Sequence, residues 1–179
     1  MEITIKGKTY LACEEASKNR WSRKKGNYKY AKGLLNSAQD PYKTERIGLL
    51  GEMAFGLLIN LKPDLEYREG GDDYDFIYND QTIDVKTAAK KPPLYYNLLI
   101  KACEGNNLIK AKLKSDIYVQ AYLQEEYRDK GWATIGFIGF VRAENIDTKT
   151  LHQSRKQNSS HKNYEFPFNQ MEPMENLIK

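Results

Sequence analysis

Cysteine and histidine are nearly absent from this chain of 179 residues, which holds two of each. Cys13 and Cys103 stand far apart in no C-x-x-C pair, which argues against a disulfide framework, a zinc ribbon and a cysteine-ligated iron–sulfur cluster. His152 and His161 lie nine residues apart among Ser, Asn and Lys, and no metal site is expected there. No apolar run approaches the ~20 residues of a membrane helix, and no signal-peptide hydrophobic segment is seen. The expected setting is therefore a reducing cytoplasm with no membrane partner. Internal repeats, a Gly-rich phosphate loop and a G-x-S-x-G elbow are also missing, and no conventional nucleophile is evident.

The composition, 40% hydrophobic and 29% charged, is that of a soluble globular chain long enough for one domain with a real core. Net charge is only +4, but it comes in blocks. Residues 1–46 carry 11 Lys/Arg against 5 Asp/Glu, residues 64–84 carry 8 Asp/Glu against one Arg, and residues 85–114 carry 7 Lys against one Glu. Any one block fits ordinary solvated surface. An acidic centre between basic flanks suits a cation site that must also accept a polyanion.

The acidic block ends in a segment with two sharply different faces. Residues 74–78 and 81–86 alternate aromatic or β-branched with polar residues around Asn79-Asp80, which predicts a hairpin with a two-residue loop. That loop sets Tyr78 opposite Gln81, Ile77 opposite Thr82, Phe76 opposite Ile83 and Asp75 opposite Asp84. Phe76, Tyr78, Ile83 and Val85 then share a core face; Asp75, Asp84 and Lys86 share the other. Like charges directly opposed are unfavourable, and a divalent cation would compensate them. Asp72 and Asp73 are rival carboxylates, and an Asp73–Lys86 ion pair is the direct competitor to a chemical role for Lys86.

Upstream, a short strand or hairpin with its turn at Gly7 is expected over residues 1–10, then a helix over 11–25 ending at Gly26. Residues 18–30 mix cations (Arg20, Arg23, Lys24, Lys25) with aromatics, a mixture suited to phosphate contact and base stacking, as well as to a solvated helix end. The strongest helix is predicted over 44–61, with Thr44 as N-cap and Lys62-Pro63 as stop. Its centred face carries Ile47, Leu50, Ala54, Leu57 and Leu58. Glu52 points almost the opposite way, near Gly48, Phe55 and Gly56, where other backbone can approach. Between Ile47 and Leu61 every other residue is apolar, Gly or Asn, and a lone carboxylate in such a stretch is costly unless paired or bound to metal. Downstream, a short strand is read at 65–67, a strand or short helix at 94–102, and buried strands at 117–123 and 132–141 around a charged loop. A short helix is read from 143 and a partly ordered polar tail over 148–179. The organisation expected is a basic N-terminal extension (1–43), a core (44–147) and that tail.

Hard cations such as Mg²⁺ take oxygen ligands, usually one or two carboxylates plus waters and substrate phosphate oxygens. Asp75 and Asp84 are the candidate pair, with the Val85 carbonyl and Glu52 completing the sphere and Lys86 orienting a water or countering charge on the phosphate. Glu52 on a helix, then Asp75, then Asp84-Val85-Lys86, resembles the PD-(D/E)xK nuclease superfamily. Residues 46–55 are similar to the first core helix of its small phage and resolvase-like members, and 115–119 and 135–140 to later core strands. The resemblance covers about residues 44–147. Tyr74 stands where the motif name has Pro, and Asp84 where Glu is common. It implies a restriction-endonuclease-like α/β core with a central mixed sheet flanked by helices, Mg²⁺-dependent (Mn²⁺ substituting) hydrolysis of DNA, and a possible homodimer. Asp75 and Asp84 would be metal ligands, Lys86 catalytic and Glu52 auxiliary; Lys90 and Lys91, with the earlier cations, would contact DNA. A non-cleaving DNA-binding or assembly protein and an RNA nuclease remain the alternatives.

Overall fold

The computed structural model describes residues 1–26, 41–67, 73–102, 112–150, 152–153 and 162–179. The chain opens with strand β1 (Glu2–Lys6), turns at Gly7, and enters helix α1 (Lys8–Gly26). Gly7 has φ of +58°, the left-handed region glycine tolerates best, so the turn needs no further device. Helix α2 (Pro41–Ile59) begins three residues ahead of the expected Thr44 cap, since proline fits a first helical turn, whose N–H groups have no intrahelical partner. It ends at Asn60 in the left-handed conformation (φ +56°), with the Leu61 amide donating back to the Gly56 carbonyl at 2.8 Å.

Strands β2 (Phe76–Tyr78) and β3 (Gln81–Ala88) form the hairpin with the expected pairs Phe76–Ile83, Ile77–Thr82 and Tyr78–Gln81. Positive φ at both Asn79 and Asp80 makes the loop a type I′ turn, whose twist matches the strands it joins. Strand β4 (Asn97–Lys101) follows, then the long pair β5 (Ile117–Tyr127) and β6 (Trp132–Arg142). Only the single turn Arg128–Lys130 and Gly131 separate these two, so the expected charged loop is mostly strand. The helix expected from residue 143 is one 3₁₀ turn, Ala143–Asn145, and residues 65–67 form no strand.

The five-stranded central sheet runs β1-β6-β5-β3-β2; β3 and β5 are parallel and every other neighbouring pair antiparallel. Register shifts in the β5/β6 ladder, at Gln120/Ala121 and Leu123/Glu125, curl it. Over the described residues the protein is thus an α/β fold with a mixed, curled central sheet and two helices. One sheet face packs on α1 and α2 through Leu50, Phe55, Ile83, Val119 and Ile135. The other face, through Tyr118 and Val141, meets Leu98, Ile100, Tyr164 and Phe168. These four come from β4, from β8 (Lys162–Pro167) and from the turn after it; β4, β8 and the short β7 (His152–Gln153) form a second sheet in the order β4-β8-β7.

The expected polar tail is therefore, over 162–179, part of the fold: Tyr164 and Phe168 are buried in one core, Met174 and Leu177 in the other. Residues 2–26 likewise supply an edge strand and a packed helix. On α2, Ile47, Leu50 and Ala54 are buried as expected, but Leu57 is 49% exposed and Phe55, expected near Glu52, is fully buried. Gly48 has nothing within 4 Å of where a side chain would stand, but at Gly56 other backbone does come close, the Leu61 carbonyl oxygen lying 2.6 Å from where a Cβ would be; Gly51 is a further point of approach, where a Cβ would collide with Thr87 Oγ1 on β3. Among the described residues no helix is long and apolar enough to cross a membrane.

Candidate active site

Asp75 lies one residue before β2, and there the hairpin departs from its regular ladder. Its amide donates to the Ile83 carbonyl (2.8 Å), while its carboxylate Oδ2 accepts the Val85 amide (2.6 Å). A carboxylate that caps a strand amide is fixed in place, here at the sheet edge beside Asp84. The Asp84 side chain is 16% exposed and lies on the sheet face opposite Ile83 and Val85. Lys86, two residues on, shares that face, and its Nζ reaches the two Asp84 oxygens at 2.8 and 2.6 Å. Asp73 pairs instead with Lys114 (2.7 Å), so the competing Asp73–Lys86 bridge is not what this fold forms.

Glu52 comes from the other side. Gly51 lets α2 sit close to β3, and this brings the next residue, with a side chain 16% exposed, into the electrostatic field of Asp75 and Asp84. Burial first, and then repulsion from Asp75, pushes the Glu52 carboxyl up to about 8. Burial and the neighbouring Asp84 likewise push Asp75 up to about 7, against the pull of the Val85 amide. For Lys86, burial works to lower the pKa, but the Asp84 carboxylate and its hydrogen bond, with Asp75, carry it above the ordinary lysine value. Lys86 is thus a fixed cation held by Asp84, and Glu52 and Asp75 are the carboxyls left short of positive charge.

Among the described residues no three His, Cys, Asp or Glu side chains converge as a ready chelate. What is present is a close carboxyl pair with a third carboxyl coupled to it. All donors are oxygen, the set a hard divalent cation takes, and waters and phosphate oxygens would supply the rest. By donor chemistry the residues fit Mg²⁺ or Mn²⁺, and Asp75 and Asp84, with Glu52 and the Val85 carbonyl, are the ones that would hold such an ion.

The expected DNA-contacting cations separate. Arg20 is turned inward, its side chain 13% exposed. It donates to the Asp64 carbonyl (2.6 Å) and lies 3.8 Å from Glu45 and 4.0 Å from Glu52, so it is a strut between the helices rather than a phosphate contact. Arg23, Lys90 and Lys91 are exposed. Lys24 and Lys25 belong to the last residues of α1, and their side chains lie outside the described residues, as do Asp72 and His161.

Two residues of β5 not singled out in the sequence adjoin the site. Tyr118 pairs with Asp84 and Gln120 with Lys86 across the parallel ladder. The Gln120 amide donates to the Lys86 carbonyl (2.9 Å) and to the Ala121 carbonyl (2.7 Å), pinning the strand under the lysine. Tyr118 Oη accepts the Lys114 amide at 3.0 Å. The signal for Gln120 was present: a polar residue inside the run Ile-Tyr-Val-Gln-Ala-Tyr-Leu needs a buried partner. Compared with known proteins, the chain matches no protein-family model, no curated protein and no solved structure.

Proposed function

We propose that this chain is a Mg²⁺-dependent endodeoxyribonuclease, hydrolysing DNA phosphodiester bonds on a restriction-endonuclease-like core. The observation that carries the reading is the meeting of Asp75, Asp84 and Lys86 at one sheet edge with Glu52 brought up from α2. A bound Mg²⁺ would polarise the phosphate and acidify a bound water. The chain's own part is positional: the Val85 amide fixes the Asp75 carboxylate, and Gln120 fixes the backbone of Lys86. Lys86 keeps its positive charge through neutral pH, and its side chain is 44% exposed, so it can face a phosphate while held by Asp84. There it orients the attacking water or counters charge growing on the phosphoryl oxygens. Exposed Arg23, Lys90 and Lys91 would contact the DNA backbone, and a homodimer would present two such sites to a duplex.

The Lys86–Asp84 pairing is also the observation that favours a second reading, a DNA-binding protein of the same core that does not cut. Plasmid, branched DNA and RNA offered with Mg²⁺ or with EDTA separate the two. The nuclease reading expects metal-dependent cutting of DNA, lost by a factor of about 100 or more in Asp84→Asn with unchanged circular dichroism. Full activity in Asp84→Asn, or salt-sensitive binding with no cutting under any divalent metal, overturns it.

A further inference from the structure

The connection from β3 to β4, residues 89–96, carries the chain from the candidate catalytic strand to the second sheet. It exposes three large apolar side chains in a row: Leu94 at 57%, Tyr95 at 80% and Tyr96 at 44%. Adjacent exposed aromatics of this kind mark a recognition surface more often than chance. The backbone beneath them is tied down. The Tyr96 amide donates to the Pro93 carbonyl and its carbonyl accepts the Phe168 amide, both at 3.0 Å. The two rings meet edge to face at 5.0 Å between centroids. Pro92 and Pro93 stiffen the approach, so the rings stand ready without further ordering.

The cations are placed to match. Lys91 Nζ lies 5.7 Å from the centre of the Tyr122 ring. Tyr122 pairs with Ala88 as Gln120 pairs with Lys86, so by strand alternation it is on the face that bears Asp84 and Lys86. Lys91 is therefore held over a ring whose backbone lies about 7 Å farther along that face than Gln120, the strand partner of Lys86, two residues at the usual strand rise. Lys90 is exposed beside it, and residues 85–114 hold 7 Lys against one Glu.

We propose that Tyr95 and Tyr96, with Lys90 and Lys91, form a platform for an unpaired DNA strand next to the candidate active site, so that the substrate is a duplex with a single-stranded tail or branch. Bases inside a continuous duplex are stacked on one another and offer no face to a tyrosine; splayed bases do. The cations alongside accept the phosphates between those bases. The inference rests on the nuclease reading for its place beside a scissile bond, but the binding it describes needs no cutting.

The test is fluorescence anisotropy in EDTA with a labelled blunt duplex and the same duplex carrying a tail of about 10 nucleotides. The wild-type chain is expected to bind the tailed duplex on the order of tenfold more tightly. Tyr95→Ala loses that advantage and Tyr95→Phe keeps it, while both bind the blunt duplex like the wild type. Lys90→Ala/Lys91→Ala lowers the slope of log affinity against log salt on the tailed duplex by about 0.7 per lost contact to a single-strand phosphate. Equal affinity for the two duplexes, or a tail advantage intact in Tyr95→Ala, overturns the platform. A tail preference without cutting of any substrate in Mg²⁺ overturns the nuclease reading and not the platform; cutting without a tail preference does the reverse.

Discussion

The two ends of the helix pair handle buried charge in opposite ways. Contacts run from Glu14 to Arg46 at one end and from Arg20 to Glu52 at the other, so α1 and α2 lie side by side in the same direction. At the first end, two carboxylates meet two guanidiniums. Arg46 (side chain 4% exposed) bridges Glu14 at 3.3 Å and Glu126, Arg128 adds a second contact to Glu14 at 3.3 Å, and the Tyr10 hydroxyl donates to Glu126 at 2.8 Å. At the other end, Glu52, Asp75 and Asp84 face Arg20, which is shared with Glu45, and Lys86. Desolvated carboxylates are tolerated only when matched. The chain supplies the match in one place and less of it in the other, where Glu52 and Asp75 are left short of positive charge.

Breaking the matched end is expected to have the largest effect. Arg46→Met leaves Glu14 and Glu126 buried without their shared guanidinium and should cost ~3–5 kcal/mol, read by urea denaturation. A loss under about 1 kcal/mol would mean the network carries little. Gly51→Ala disturbs only the other end: the new Cβ meets Thr87 Oγ1 and forces α2 away from β3. The expected cost is ~1–3 kcal/mol, together with reduced cutting because Glu52 moves.

Acidity sharpens the contrast. Asp75 and Glu52 are raised from 3.8 to about 7 and from 4.5 to about 8, so the folded metal-free chain holds protons that the unfolded chain releases. The resulting stability is complete below about pH 4, falls as pH rises from there, and is gone once pH has passed through about 7 and about 8. Thermal melts in EDTA should therefore fall between about pH 6 and pH 8.5, and Glu52→Gln should flatten the fall, gaining ~1–2 kcal/mol at the alkaline end. A wild-type profile that rises over this window contradicts the charge deficit. The smallest effect is expected at the exposed Asp73–Lys114 pair, whose side chains are 67% and 51% exposed. Asp73→Ala should change stability by less than ~0.5 kcal/mol and leave cutting untouched. A large loss of cutting there would restore Asp73 as the partner of Lys86.

How much of this was legible follows from how local each determinant is. The β2/β3 register was readable because alternation and an Asn-Asp turn act within a dozen residues. The capping of Val85 by Asp75 was not, because it arises where the ladder departs from regularity. Glu52 stood out as the one charge between Ile47 and Leu61; that Gly51 would bring the helix against β3 depended on where Thr87 would fall. Arg20 read as one cation in a basic run, and only the position of Glu45, Glu52 and the Asp64 carbonyl turns it inward. Residues 162–179 read as tail because their apolar residues keep no period; they are ordered by partners far away in the chain, β4 and the central sheet.

The central claim, that Asp75, Asp84 and Glu52 form a divalent-cation site, is tested most directly by thermal melting at about pH 8 with added Mn²⁺, in the wild type and in Asp84→Asn. A rise of several degrees that saturates in the wild type and is absent from Asp84→Asn is the expected result. No rise in the wild type, or an equal rise in both, contradicts the account.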